Sequence, residues 1–232
     1  MKAIRLWTKA VRPYAYSASL VPVAIGGLHA RFSTGEFSGV RLGVSLAAVL
    51  LLHTAANLWN DYFDFINGVD RQGGGIGSGV LVAGEMTPKR CFRGASICAA
   101  LAAGAGLWLA TQVGWGILVL GALGLLGALF YSAGSFSPKH RALGEVWLFL
   151  LMGVGLTLGG HWAQTGRFSW GAVAATRRLP MPTLGALLTL PLAFRWYRSA
   201  WAGPVEEKHV VGMALLHAAF GLLFAAGMAW TP

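Results

Sequence analysis

Residues 42–70 read LGVSLAAVLLLHTAANLWNDYFDFINGVD, a long apolar stretch that ends in carboxamide and carboxylate side chains. The apolar part is long enough to cross the hydrocarbon core of a bilayer as a helix. Asn57, Asn60, Asp61 and Asp64 follow one another at spacings of three, one and three residues. A helix places residues at these spacings on one face. The stretch therefore predicts a membrane helix with a polar, acidic face at its end.

The acidic cluster continues beyond the predicted helix. Gly68 permits a break in the helix, after which Asp70 could turn back toward the acidic face. Asp61, Asp64 and Asp70 are the only aspartates in the chain. An aspartate in a membrane segment costs about 2.5–3.5 kcal/mol at the bilayer centre unless it faces a polar cavity or a partner. Two interpretations remain open, namely polar capping of a helix end and a site for a hard divalent cation. Because Mg²⁺ takes one or two carboxylates together with substrate phosphate oxygens, the cluster favours a Mg²⁺–diphosphate site.

The rest of the chain has the composition of a membrane protein. Of its 232 residues, 56% are hydrophobic and 11% are charged, whereas soluble domains carry roughly 25% charged residues. The amino-acid composition does not change from one part of the chain to another, which predicts one all-α domain over 1–232, a polytopic membrane helical bundle. We predict about seven transmembrane helices, at residues 14–30, 42–66, 92–111, 113–131, 143–162, 180–197 and 209–230.

The basic residues predict the orientation of these helices. With the N-terminus in the cytoplasm, the 18 Lys and Arg residues lie inside except for Arg31, Arg41, Arg167, Arg177 and Arg178, in agreement with the positive-inside bias. The net charge of +10 is therefore interpreted as contact with membrane lipid and not with nucleic acid. We read the basic N-terminal residues as a cytoplasmic end and not as a removed signal peptide.

Basic and glycine-rich segments follow the acidic cluster on the same predicted side. The run from Gly73 to Gly79 lacks the Gly-Lys-Ser/Thr ending of a nucleotide-binding loop. It is either a flexible loop or a lid whose backbone N–H groups approach a phosphate. The candidates for neutralising a diphosphate leaving group are Arg12, Arg71, Lys89, Lys139 and Arg141.

The pattern Asn57-x-x-Asn60-Asp61-x-x-Asp64 with a later Gly68-x-Asp70 resembles the first aspartate-rich motif of the UbiA prenyltransferase superfamily. Within it, the chain is most similar to the 1,4-dihydroxy-2-naphthoate polyprenyltransferases of menaquinone biosynthesis in the bacterial inner membrane. The resemblance implies a helical ring around a central cavity. It also implies that Mg²⁺ and a polyprenyl diphosphate are held by Asn57, Asn60, Asp61, Asp64 and Asp70, and that Asp61 and Asp64 are catalytic. Tyr131 and Glu145 are expected nearer the prenyl carbon or the aromatic acceptor, as either catalytic or ordinary structural residues.

The chain also departs from the family pattern. The family has nine helices and a second aspartate-rich motif, whereas this chain has no aspartate after Asp70. The segment 169–180 reads as a junction at which two helices and that motif are missing. Three hypotheses follow: an active prenyltransferase, a non-catalytic relative that binds isoprenoid or quinone precursors, and a small transporter whose aspartates line an ion pathway.

Overall fold

The computed structural model describes most of the chain, namely residues 2–70, 77–133, 147–169, 188–189, 191–192, 194–195 and 207–229. All regular elements within these ranges are helical, and no strand occurs among them. In chain order the helices are α1 Lys2–Val11, α2 Ser17–Thr34, α3 Gly39–Ile66, α4 Pro88–Val113, α5 Ile117–Phe130, α6 Leu156–Thr165 and α7 Glu207–Ala229. The prediction of an all-α fold is confirmed.

The helix ends follow from local sequence. Thr87 precedes α4 in an extended conformation, its side chain accepts a hydrogen bond from the backbone N–H of Arg90, and Pro88 occupies the first turn. These are the preferred residues for a helix start. α2 and α6 each end at a glycine in the left-handed region, Gly35 at φ +75° and Gly166 at φ +65°, where glycine lacks the steric penalty of a side chain.

Most predicted membrane spans correspond to observed helices. The predictions at 14–30, 42–66, 92–111 and 113–131 correspond to α2, α3, α4 and α5. The prediction at 143–162 corresponds to a π-helical segment, Phe149–Gly155, that runs directly into α6, and that at 209–230 corresponds to α7. Two thirds of 180–197 lies outside the described residues. Among the described helices, α3 and α4 are both long and apolar enough to cross a bilayer.

The helices fall into two compact units. The first comprises Met1–Pro13 and Ala47–Leu151. Its core lies where α1, the end of α3, the turn after residue 77 and the start of α4 pack together, and its buried members include Ala10, Leu58, Val80, Cys91 and Ala95. The small side chains of this core allow the helices to approach closely, as is usual in membrane proteins.

The second unit comprises Tyr14–Leu46 and Met152–Pro232, and α2 packs on both α6 and α7 within it. A Cβ atom built on Gly26 would overlap the carbonyl oxygen of Thr157, and one built on Gly160 would overlap the carbonyl oxygen of Val23. The α2 and α6 backbones therefore touch directly. That 1–232 forms a single domain stays a prediction.

Candidate active site

The end of α3 turns the chain back on itself. The helix ends at Ile66, and Gly68 adopts φ +68°. The backbone N–H groups of Val69 and Asp70 then donate to the carbonyl oxygen of Asp64 at 2.9 and 3.2 Å. Glycine is the residue that adopts this left-handed conformation without strain. The expectation that Asp70 turns back after a break at Gly68 is confirmed.

Two carboxylates meet at Gly77 as a result of this turn. A Cβ atom built on Gly77 would lie 3.0 Å from Oδ2 of Asp70 and 3.2 Å from Oδ1 of Asp61. Both oxygens therefore border the small space that glycine leaves open. Asp61 is 2% exposed and Asp64, one turn further along α3, is 1% exposed. The acidic face of α3 is thus turned into the protein.

Among the described residues, Arg12 brings a positive charge into direct contact with this face. Its Nη2 forms an ion pair with Oδ1 of Asp61 and also donates to the carbonyl oxygen of Asn57 at 3.0 Å. The side-chain amide of Asn57 in turn donates to the carbonyl oxygen of Val11 at 2.8 Å. These contacts join the end of α1 to the acidic face of α3. Buried carboxylates require such partners.

The backbone of Arg12 is strained. Arg12 has φ +53°, the one left-handed non-glycine residue among those described, and it precedes Pro13. Side-chain-bearing residues reach this region at a cost of about 1–3 kcal/mol, and they persist there where surrounding contacts hold them. At Arg12 the three hydrogen bonds that link α1 to α3 provide that hold.

Two serines that sequence reasoning did not identify complete the network. Ser78 donates to Asp61 twice, from its hydroxyl to Oδ2 and from its backbone N–H to Oδ1 at 3.3 Å. Ser132 donates from its hydroxyl to Oδ1 of Asn60 at 2.7 Å. Ser78 lies within the glycine-rich run that follows the acidic motif in sequence, and this position could have identified it as a site residue. For Ser132, the only such signal in the sequence was its position next to Tyr131.

The remaining predicted site residues are distributed as follows. Tyr131 is half-buried directly after α5 and precedes Ser132, the residue that donates to Asn60. Lys89 is exposed in the first turn of α4. Arg12, predicted to bind diphosphate, pairs with Asp61 in this structure. The predictions for Arg71, Lys139, Arg141 and Glu145 fall outside the described residues.

The donor set restricts which metal this face could hold. Within the described part of the chain, no three Asp, Glu, His or Cys side chains gather as ligands of one ion. A cage made wholly of such protein ligands is therefore not formed by these residues. The pair Asp61 and Asp70 instead offers two hard oxygen donors around an open position at Gly77. Such a pair fits Mg²⁺, which binds one or two carboxylates and completes its shell with water and substrate phosphate.

Comparison with known proteins identifies the family of the chain. The model of the UbiA prenyltransferase family matches residues 19–195. UbiA prenyltransferase domain-containing protein 1 of Gallus gallus is 32% identical over 167 residues, which cover 69% of this chain and 48% of that protein. The 1,4-dihydroxy-2-naphthoate octaprenyltransferase of Bacillus subtilis (strain 168) is 29% identical over 168 residues, 71% of this chain and 52% of the relative. The enzyme of that name from Mycobacterium tuberculosis is 29% identical over 176 residues, which cover 75% of this chain and 59% of that enzyme. The chain spans about half the length of the curated relatives it matches.

Proposed function

Because the chain belongs to the UbiA prenyltransferase family, we propose that it transfers a polyprenyl group from its diphosphate to an aromatic acceptor. Two of the relatives described above are named for 1,4-dihydroxy-2-naphthoate and an octaprenyl group. We propose an acceptor of this class, a place in menaquinone biosynthesis, and a bacterial inner membrane location with a cytoplasmic N-terminus. The single observation that carries the proposal is the meeting of Asp61 and Asp70 around the open position at Gly77.

The chain's own residues would bind and orient the diphosphate. Asp61 and Asp70 border the open position and would hold Mg²⁺ there, with Asp64, Asn57 and Asn60 on the same helix face as further oxygen donors. When bound, Mg²⁺ would offset the negative charge that develops on the departing diphosphate. Ser78 would fix the orientation of Asp61, because its two hydrogen bonds engage both carboxylate oxygens.

The proposed reaction is a substitution at the allylic carbon. The C–O bond to diphosphate breaks and its electron pair leaves with the diphosphate. An electron-rich carbon of the acceptor ring then bonds to the allylic carbon, and the ring loses a proton. Arg12, Lys89 and the basic residues Arg71, Lys139 and Arg141 are proposed to stabilise the leaving group, since charge-assisted hydrogen bonds to phosphate are strong. Tyr131 and Glu145 are proposed to lie near the allylic carbon or the acceptor.

The absence of any aspartate after Asp70 favours one alternative, a relative that binds the prenyl diphosphate without turning it over. Purified protein in lipid nanodiscs, supplied with Mg²⁺, octaprenyl diphosphate and dihydroxynaphthoate, separates the two functions. Mass spectrometry would measure the prenylated product, and filtration would measure retained diphosphate substrate. We expect product, and we expect Asp61→Asn and Asp70→Asn to lower its rate by about 100-fold or more, as loss of a group that stabilises transition-state charge does.

The control is Lys9→Gln, which removes one partner of an exposed ion pair with Glu85 and should keep the wild-type rate. Mg²⁺-dependent retention of octaprenyl diphosphate above that of protein-free nanodiscs, without product, would establish the binding-only alternative. If the protein gave neither product nor retention, both functions would be refuted.

A further inference from the structure

The exposed side of α4 changes from charged to apolar within one turn. Lys89 and Arg93 are exposed near its start. Beyond them, Ile97 is 50% exposed and Leu101 is 56% exposed on the same helix. In a helix that spans a membrane, exposed leucine and isoleucine face lipid, whereas arginine and lysine remain at the interface. The boundary between headgroups and hydrocarbon therefore lies between Arg93 and Ile97.

Helix α1 packs at this level. A Cβ atom built on Gly94 would lie 2.8 Å from the indole ring of Trp7. The guanidinium of Arg90 lies 5.4 Å from the centre of a Trp7 ring, and Ala10 is fully buried. α1 therefore lies beside the first turns of α4, at the height of the lipid headgroups.

The exposed side of α1 is basic. Lys2, Arg5 and Lys9 follow at spacings of three and four residues, which place them on one side of the helix. Lys9 is paired with Glu85 at 3.2 Å. Within the described part of the chain, neither Lys2 nor Arg5 forms an ion pair with an acidic side chain, and the exposed Ile4, at 74%, lies between them in sequence.

We propose that Lys2, Arg5 and Arg93, the basic rim, form a binding surface for the headgroups of anionic phospholipids. An interfacial helix with lysine, arginine and exposed apolar residues binds anionic membranes through both charge and inserted apolar surface. The height of the rim selects lipid over a soluble acidic partner, because its charges lie where headgroup phosphates lie. This surface does not depend on the proposed enzymatic activity.

Electron paramagnetic resonance of spin-labelled phospholipids tests the proposal. The wild-type chain is reconstituted in vesicles of phosphatidylcholine, and the immobilised fraction of spin-labelled phosphatidylglycerol is compared with that of spin-labelled phosphatidylcholine. Each basic residue near anionic lipid contributes about fivefold in association. We expect a preference for phosphatidylglycerol that falls by about this factor for each charge removed in Lys2→Gln, Arg5→Gln and Arg93→Gln.

The control is the double variant Arg31→Gln with Arg167→Gln, which removes two exposed positive charges outside the rim, one of them paired with Glu36. It should keep the preference that the double rim variant Lys2→Gln with Arg5→Gln loses. A wild-type preference that survives in the triple rim variant would overturn the proposal, as would an equal loss in the control. An excess of inorganic phosphate should compete no better than a salt of equal ionic strength.

Discussion

Replacing Arg12 by glutamine tests whether Asp61 depends on its ion pair. The side chain of Asp61 is 3% exposed and that of Arg12 is 12% exposed, so solvent cannot take the place of the guanidinium. Removing one partner of a buried pair costs about 3–5 kcal/mol, because an uncompensated charge remains. The cost has an upper limit, since a stranded carboxylate can take up a proton for about 4 kcal/mol at pH 7. We therefore expect Arg12→Gln to lower the stability of the first unit by about 3–4 kcal/mol.

The thiol of Cys91 provides the assay. Cys91 is fully buried and its Sγ lies 3.3 Å from the carbonyl oxygen of Leu58, so a thiol-reactive fluorophore reaches it only when the first unit opens. The assay is run in a Cys98→Ala background, which removes the second thiol. The midpoint temperature at which Cys91 becomes labelled should be roughly 6–16 °C lower in Arg12→Gln, because each kcal/mol of lost stability lowers a midpoint by about 2–4 °C.

Two comparisons make this result specific to the buried pair. Lys9→Gln breaks an exposed ion pair and should cost less than about 1 kcal/mol. Adding Asp61→Asn to Arg12→Gln removes the stranded charge, so the double variant should be more stable than the sum of the two single losses predicts. Strict additivity, or a loss in Arg12→Gln no larger than in Lys9→Gln, would refute the reasoning.

Three further substitutions follow from the structure. Gly77→Ala would place a methyl group against the Asp61 and Asp70 oxygens. It should therefore weaken Mn²⁺ binding several-fold, as measured by electron paramagnetic resonance. The control is Gly104→Ala, whose methyl group would meet open space and should leave Mn²⁺ binding unchanged. Ser132→Ala removes the donor to Asn60 and should lower thermal stability by about 1 kcal/mol while retaining Mn²⁺ binding; unchanged stability would contradict the contact. Gly160→Ala should destabilise the α2–α6 contact by several kcal/mol in thermal unfolding, about the cost of severe overpacking. The methyl group of Gly159→Ala would meet open space, so this control should be neutral. Equal effects of the two substitutions would show that the backbones do not touch.

The sequence predicted the acidic face well because its information is local. Four polar residues at helical spacing and a following glycine specify both the face and the return of Asp70. The partners of that face were harder to predict. Arg12 is 49 residues away from Asp61, and its contact depends on a left-handed backbone that arginine rarely adopts. Long-range pairing of this kind leaves no periodic signal.

Helix boundaries show the same limit. The predicted span at 92–111 excluded the charged turn before it, yet α4 begins at Pro88, because the Thr87 cap and the proline determine the start. Helix α1 was interpreted as a basic N-terminal end, since its ten residues carry too little apolar sequence to suggest a membrane helix. Its role became visible only through Trp7 and Ala10, which pack against neighbours distant in sequence.

The direct backbone contact between α2 and α6 bears on how this protein is inserted. The two helices meet through glycines that lie more than a hundred residues apart in the chain, so α2 is synthesised well before its partner exists. This side of α2 also carries the buried imidazole of His29, whose Nδ1 lies 3.3 Å from Nδ1 of His161 on α6. The backbone contact at Gly26 and the pairing of the two imidazoles therefore form together, once the ribosome has delivered Gly160 and His161.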